Sequence, residues 1–208
     1  ALLRVSLSES RKSVPRFRYP EAGEGKCVLF KEFGGVNAVP ICLDTKDPAE
    51  VIRAVELIAP SFGGVNLEDI RSPECFEIER VLEEKLDIPV FHDDQHGTGI
   101  VVTAALLNAL KVVGKDIASV KIVQNGPGAA GTAIIKMLMA AGATDITAVD
   151  EHGILYEDRP AGLKDHKAWL ATVTNPRHLT GGLAEAGKGA AGFSGTRIAG
   201  ALPAELAA

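Results

Sequence analysis

The 208-residue sequence has few aromatic side chains, few cysteines and no long uncharged apolar segment. Aromatic residues make up 5 % of the chain and the formal net charge is −5, so neither base stacking nor a basic surface favours nucleic-acid binding. No apolar run approaches the roughly 20 residues that a membrane-spanning helix needs. Cys27, Cys42 and Cys75 are far apart and odd in number, which is typical of reduced thiols in a cytoplasmic protein. We expect neither a nucleic-acid nor a membrane partner.

Apolar segments and helical patterns alternate through the middle of the chain, which predicts an α/β fold with a mostly parallel sheet. Residues 38–43 are typical of a buried strand, and the next helix is expected to begin after the cap Asp47. Residues 26–30 (KCVLF) are a second strand candidate. Residues 1–24 have no sustained period, so we expect them to be irregular or disordered.

A glycine-rich turn follows an apolar strand and precedes a helix in the segment IVQNGPGAAGTAI. Its G-x-G-x-x-G spacing permits a tight turn, a close approach of the backbone to a pyrophosphate, and close packing of helix on strand. Asp150 ends the next apolar segment about 20 residues later, where an acid binds the ribose hydroxyls and favours NAD over NADP. The alternative is a tight turn that binds nothing. The predicted dinucleotide site comprises Asn125, Gly126, Pro127, Gly128, Ala129, Ala130, Gly131 and Asp150.

Two acidic pairs, Glu68–Asp69 and Asp93–Asp94, lie at the ends of apolar segments. The carboxyl ends of parallel strands form the ligand crevice of α/β folds, and converging carboxylates suit Mg²⁺ or Mn²⁺. An equally weighted alternative places Glu68 and Asp69 in a loop and Asp93 and Asp94 at the start of a helix. The spacing alone does not choose between these two interpretations.

The basic and histidine candidates are less specific. Lys26 opens an apolar segment, either as an edge residue that reaches solvent or as a desolvated base with a lowered pKa. His92 and His96 flank the second acidic pair, but a zinc site is a weak hypothesis because no third nitrogen or sulfur ligand lies near them. The remaining histidines are predicted to lie on the surface: His152, His166 and His178.

Four segments closely resemble the bacterial type of malic enzyme and occur in that family's order. They are GKCVLFKEFGGVNAVPICLDTKDP, PSFGGVNLEDIRSPECFEIE, LDIPVFHDDQHGTGIVVTAALLNALKVVGKDI and VKIVQNGPGAAGTAI. The resemblance extends from about residue 25 to residue 175. It implies a catalytic-domain core over residues 25–112, followed by a partial Rossmann-like NAD(P)-binding domain over residues 113–208.

The resemblance also implies a reaction. It is the oxidative decarboxylation of (S)-malate to pyruvate and CO₂ with reduction of NAD or NADP, dependent on Mg²⁺ or Mn²⁺. By resemblance, Glu68, Asp69 and Asp94 hold the metal, Lys26 is the general base, and Asp93 lies beside it and tunes it. The family usually forms dimers or larger assemblies, so a homodimer or larger is expected here.

Both ends of the chain depart from the family pattern. The family's tyrosine acid stands in a Tyr-Thr-Pro-like setting, which neither Tyr19 nor Tyr156 has. The Gly-Leu-Gly segment before the base lysine and the asparagine of a downstream Ala-Asn-Pro stretch are also missing. We therefore expect altered ends. The alternative hypothesis is a catalytically incomplete remnant that binds metal or dinucleotide without turnover.

Overall fold

The structure is a computed structural model that describes residues 1–7, 18–163 and 166–196. The chain divides into two compact units, residues 1–94 and the residues from 95 onward. Each unit contains a four-stranded sheet with helices, which confirms the predicted α/β class. The elements are β1 (Leu2–Leu7), α1 (Arg18–Gly34), β2 (Ala38–Leu43), α2 (Pro48–Ile58), β3 (Gly64–Leu67), α3 (Glu74–Lys85), β4 (Val90–His92), α4 (Asp93–Val112), β5 (Lys121–Asn125), α5 (Ala129–Ala140), β6 (Asp145–Asp150), β7 (Gly153–Ile154), α6 (His166–Val173), α7 (Leu183–Gly187) and β8 (Gly192–Gly195).

The first unit has a parallel sheet with the strand order β2-β1-β3-β4. The predicted strand over residues 38–43 is confirmed as the edge strand β2, where Pro40 is tolerated, but the expected burial is wrong because none of its residues is buried. Asp47 is confirmed as the cap of α2, because its side chain accepts a hydrogen bond from the N–H of Ala49. The core of this unit includes Leu3, Val5, Val51, Val55, Val65, Leu67, Ile78 and Leu82.

The expectation that residues 1–24 are irregular is wrong for residues 18–24, which begin helix α1, and for Leu2–Leu7. This segment is β1, and it pairs with β2 on one side and with β3 on the other. Arg4 and Ser6 interrupt the apolar pattern by which a buried parallel strand is recognised, yet both are buried. Arg4 donates to the Ser6 hydroxyl and to Glu68, and the second partner lies 64 residues away, which no local period reveals. The expectation for residues 8–17 falls outside the described part of the chain.

The strand expected over residues 26–30 is also wrong, because these residues belong to helix α1. Short apolar runs do not distinguish a strand from a helical segment by periodicity alone. Val28 and Leu29 of this run are exposed, so the run does not form a buried strand core. Lys26 therefore lies within helix α1, which precedes the edge strand β2.

The second unit has the strand order β7-β6-β5-β8, with β5 parallel to both β6 and β8 and with β7 antiparallel to β6. Helix α5 follows β5 directly and buries Ile134, Ile135 and Leu138. Their neighbours in the same apolar cluster include Leu110, Val120, Ile122, Ala143, Ile146, Ala148, Leu155, Leu170 and Ala171.

The two units meet in sequence at Asp94 and Gln95, earlier than the boundary expected between residues 112 and 113. The reason lies in helix α4, whose apolar residues pack in the second unit. Val102 and Leu106 lie against its core cluster. A Cβ added at Gly99 would come within 2.8 Å of the Met137 Sδ, so this part of α4 lies tightly against α5. Asp93 and Asp94 form the first turn of α4 but belong to the first unit.

The three cysteines are reduced, and they differ in burial. Cys27, Cys42 and Cys75 are free thiols, and Cys75 alone of them is buried. Burial, together with the charge of Glu79, raises the pKa of Cys75 to about 12, so it stays a neutral thiol. Among the described residues, no helix combines the length and apolarity required to cross a bilayer.

Candidate functional sites

A cluster of carboxylates lies in the first unit, where strands β3 and β4 end. Glu68 directly follows β3, and Asp93 and Asp94 directly follow β4. The two strands are parallel neighbours, so their carboxyl ends meet at one edge of the sheet. One carboxylate oxygen from each of Glu68, Asp93 and Asp94 lies within 4.8 Å of the others. The arrangement presents hard oxygen donors to a common point, as Mg²⁺ or Mn²⁺ requires.

Asp69 approaches the cluster differently. Its backbone has a φ of 58°, the left-handed region, and its N–H donates to the Asp94 Oδ2 at 2.8 Å. Burial raises the pKa of Asp69, and the neighbouring charges of Asp94 and Glu68 raise it further. The close trio thus contains Asp93, whereas the resemblance implied Asp69 as the third ligand. Both assignments remain predictions.

Lys26 reaches the cluster from helix α1. Its Nζ lies 2.5 Å from the Asp93 Oδ2 and 2.9 Å from the Glu68 Oε1. Burial acts to lower the pKa of Lys26, but the hydrogen bonds to Asp93 and Glu68 outweigh it and raise that pKa. Lys26 is therefore a paired ammonium in this structure. Of the two interpretations drawn from the sequence, the base with a lowered pKa does not describe this arrangement.

Arg4 is a member of this site that the sequence did not reveal. It lies on β1, with only 4 % of its side chain exposed, and its Nε donates to the Glu68 Oε2 at 3.0 Å. Its Nη2 lies 3.5 Å from the Asp69 Oδ2. Glu68 therefore bridges two cations, Arg4 and Lys26. The signal in the sequence was a lone arginine inside an apolar segment. It was missed because residues 1–24 were expected to be irregular.

The histidine hypothesis is not supported by the geometry. The candidate metal group found in the described ranges consists of carboxylates alone. His92 is fully buried in β4, and its backbone N–H donates to the Glu79 Oε1 at 2.9 Å. Neither His92 nor His96 belongs to a group of three candidate metal ligands among the described residues.

The glycine turn lies in the second unit between β5 and α5, as the spacing predicted. Gly126 has a φ of 88°, which only glycine adopts without strain. A Cβ at Gly131 would lie 2.2 Å from the Gly126 carbonyl oxygen, so helix and turn pack too closely for any side chain there. Gly128 is the N-cap of α5, and no atom lies within 4 Å of the position where its Cβ would be. This leaves an open N-terminus for phosphate groups.

Asp150 ends β6 beside this turn, but its carboxylate is already surrounded by donors. Oδ1 accepts from the Arg159 Nη1 at 2.7 Å and the His152 N–H at 2.8 Å. Oδ2 accepts from the Arg159 Nη2 at 3.0 Å and the Lys167 Nζ at 2.9 Å. A carboxylate has about four lone-pair sites, so ribose hydroxyls would have to displace a protein donor. The ribose role of Asp150, and with it the preference for NAD, remains a prediction.

The fold and the glycine turn define a nucleotide-binding α/β class of protein. The family described as "Malic enzyme, NAD binding domain" matches residues 95–184. The chain is 53 % identical over 184 residues to the NAD-dependent malic enzyme of Geobacillus stearothermophilus, covering 88 % of this chain and 38 % of that protein. It is 51 % identical over 191 residues to the bifunctional malic/malolactic enzyme of Bacillus subtilis, covering 90 % and 47 %.

A solved structure agrees with these relatives. The crystal structure of the NAD-dependent malic enzyme of Thermotoga maritima matches with a TM-score of 0.90 and 42 % identity, covering 99 % of this chain and 56 % of that one. The chain belongs to the malic enzyme family, and its residues 95–184 match that family's NAD-binding domain. It spans less than half the length of the two curated relatives.

Proposed function

We propose that this chain carries the malate site and the dinucleotide site of a malic enzyme. The reaction is the oxidative decarboxylation of (S)-malate to pyruvate and CO₂, with NAD or NADP as the oxidant. The observation that carries the proposal is the position of Lys26, bonded to Asp93 and Glu68 at the edge of the cluster that includes Asp94. The similarity to malic enzymes over most of the chain supports this hypothesis over the alternative of a remnant without turnover.

The carboxylate cluster is the proposed site of Mg²⁺ or Mn²⁺. Glu68 and Asp94 would be ligands, together with either Asp69 or Asp93. When bound, the cation would supply the positive charge that polarises the malate hydroxyl and stabilises the negative charge left as CO₂ departs. Four carboxyl groups and two basic side chains converge here, and the pKa of Asp69 is raised by burial and by the neighbouring charges of Asp94 and Glu68. The donor set therefore fits a hard divalent cation.

Lys26 is the proposed general base. It would take the hydroxyl proton of malate as hydride leaves C2 for the dinucleotide. Its ion pairs keep it protonated at rest, so Nζ must first give up a proton. The Asp93 Oδ2, 2.5 Å from Nζ, is in hydrogen-bond contact with that proton. The proposal gives Asp93 the role of setting the proton position and orientation of Lys26.

The turn over Asn125–Gly131 is proposed to hold the dinucleotide pyrophosphate through the backbone N–H groups at the start of α5. Asp150 and the groups bonded to it would face the adenosine ribose. Assembly as a homodimer or larger oligomer and a cytoplasmic location belong to the same proposal. The three free thiols are compatible with that location.

The proposal is tested by a steady-state assay with malate, Mn²⁺ and either NAD or NADP, followed through the absorbance of the reduced cofactor. Lys26→Ala is expected to lower kcat by about 10²–10⁴-fold, the usual contribution of a general base. Lys31→Ala is the matched control, since Lys31 is an exposed lysine on the same helix. A folded wild-type chain that binds metal and dinucleotide but does not oxidise malate would contradict the proposal and favour the remnant hypothesis.

A further inference from the structure

The first turn of α6 contacts the glycine turn of the dinucleotide site. His166, the first residue of α6, places Nε2 at 2.7 Å from the carbonyl oxygen of Pro127. A carbonyl oxygen only accepts hydrogen bonds, so Nε2 carries the proton and donates it. The surface position expected for His166 is wrong, because the residue is half-buried, whereas His152 and His178 are exposed as expected.

Helix α6 is held in place by packing against the core, so the hydrogen bond from His166 to Pro127 comes from a fixed element. Leu170 is fully buried and Ala171 nearly so, and both belong to the apolar cluster of the second unit. The neighbour of His166, Lys167, places its Nζ at 2.9 Å from the Asp150 Oδ2. The first two residues of α6 thus touch both the turn expected to hold the pyrophosphate and the acid expected near the ribose. His166 therefore contacts Pro127 from a helix that is packed against the core.

The hydrogen bond from His166 to the Pro127 carbonyl also orients the N–H of the next residue, Gly128. The C=O of Pro127 and the N–H of Gly128 belong to one peptide unit, which is planar and trans. The two groups point in opposite directions, so holding the oxygen also sets the direction of the N–H. Gly128 is the N-cap of α5, at the end of the helix where free N–H groups face a phosphate.

We propose that His166 is a positioning residue of the dinucleotide site, whose hydrogen bond to Pro127 holds the Gly128 N–H in the direction that the cofactor's pyrophosphate requires. The inference rests on the dinucleotide-binding role of this turn. It makes two demands. Loss of the hydrogen bond must weaken the binding of ligands that contain a pyrophosphate and not that of the nucleoside, and the affinity must depend on a hydrogen-bond donor at the position of Nε2.

Calorimetric dissociation constants for NAD⁺, ADP and adenosine test both demands. His166→Ala is expected to weaken NAD⁺ and ADP about tenfold, the value of one oriented hydrogen bond, and to leave adenosine unchanged. His166→Gln is expected to restore most of the affinity, because its amide nitrogen donates from a similar reach. His166→Met has similar bulk and no donor, and it should behave like the alanine variant. His178→Asn replaces an exposed histidine and serves as the control.

The fold of each variant is checked by thermal unfolding, followed through Trp169, the single tryptophan of the chain. If the alanine variant does not fold, the comparison of His166→Gln with His166→Met decides. Equal NAD⁺ and ADP affinity in wild type and in both donor-free variants would overturn the inference. Equal weakening of adenosine would also overturn it, because His166 would then support the unit as a whole. Failure of the wild-type chain to bind either NAD⁺ or ADP would refute the dinucleotide role itself.

Discussion

Buried arginines organise the acidic residues of both candidate sites. Arg4 bonds to Glu68 in the first unit, and Arg159 bonds through both terminal nitrogens to Asp150 in the second. Their side chains are only 4 % and 5 % exposed. A buried charge that loses its partner is costly, so each carboxylate stabilises an arginine as well as serving its site.

Asp150→Asn is expected to lower the free energy of unfolding at pH 7 by about 3 kcal/mol, because Arg159 loses its charged partner. Burial acts to raise the pKa of Asp150, but the hydrogen bonds from Arg159 and Lys167 outweigh it and hold that pKa well below its usual value. A carboxyl with a lowered folded-state pKa contributes stability above its unfolded-state pKa of about 4. That contribution is lost as pH falls towards the folded-state pKa.

Urea unfolding at pH 7 and pH 3, followed through Trp169 fluorescence, measures this difference. The difference in the free energy of unfolding between wild type and Asp150→Asn should be smaller at pH 3 than at pH 7. Asp145→Asn is the matched control in the same strand. Its partner, Arg177, is 27 % exposed, so the loss should stay below about 1 kcal/mol. A gap for Asp150→Asn that is as wide at pH 3 as at pH 7 would show that charge pairing is not its cause.

At the scale of elements, the connection from β5 to α5 is where local sequence and packing agree most closely. Its glycines have different physical tasks. Gly131 is surrounded by backbone, whereas the space around Gly128 is open. Only the first is therefore required by the fold of the unit, and the second is required by what the turn is expected to bind.

The variants Gly131→Ala and Gly128→Ala should separate these tasks. Gly131→Ala forces a Cβ to 2.2 Å from the Gly126 carbonyl oxygen, and we expect a loss of about 1–3 kcal/mol in the free energy of unfolding. Gly128→Ala meets no atom of the chain and has a negative φ, so stability should change little. Its methyl group should nevertheless weaken NAD⁺ binding by obstructing the phosphate. Thermal unfolding and calorimetry measure the two effects. Unchanged stability of Gly131→Ala would contradict the packing argument.

Elements with local signals were the ones that the sequence predicted well. The strand, turn and helix around Gly126 and the cap at Asp47 depend on neighbouring residues, and both were predicted. Strand β1 was missed because the partner of Arg4 lies 64 residues away. The donors around Asp150 were missed for the same reason, since Arg159 and Lys167 follow it in segments without a distinctive pattern.

At the scale of the whole molecule, the division into two units determines which residues form each site. The candidate metal cluster lies entirely in the first unit and the glycine turn entirely in the second. The family resemblance implied a boundary near residue 112, whereas the division falls at Asp94, inside the continuous helix α4. Where a helix belongs is decided by the core against which it packs, and the sequence pattern does not contain that information.

The second unit exposes an apolar groove between α4 and the edge strand β8, with a cavity volume of about 440 Å³. Val101 and Phe193 line it and are exposed. Exposed patches of this kind bind hydrophobic dyes and favour association. Val101→Lys is therefore expected to reduce the fluorescence of a bound dye such as ANS by about half or more. Val112→Lys, an exposed valine at the end of the same helix, is the control. Equal dye binding by wild type and Val101→Lys would contradict this expectation.

Calorimetric titration with Mn²⁺ tests whether the carboxylates of the first unit form the proposed divalent-metal centre. Wild type is expected to bind one Mn²⁺, and Asp94→Asn should weaken binding at least about tenfold. The exposed control Asp87→Asn should bind like wild type. Whichever of Asp69→Asn and Asp93→Asn weakens binding more identifies the third ligand. A folded wild-type chain that binds no Mn²⁺, or an Asp94→Asn variant that binds it as tightly as wild type, would contradict the proposed metal centre.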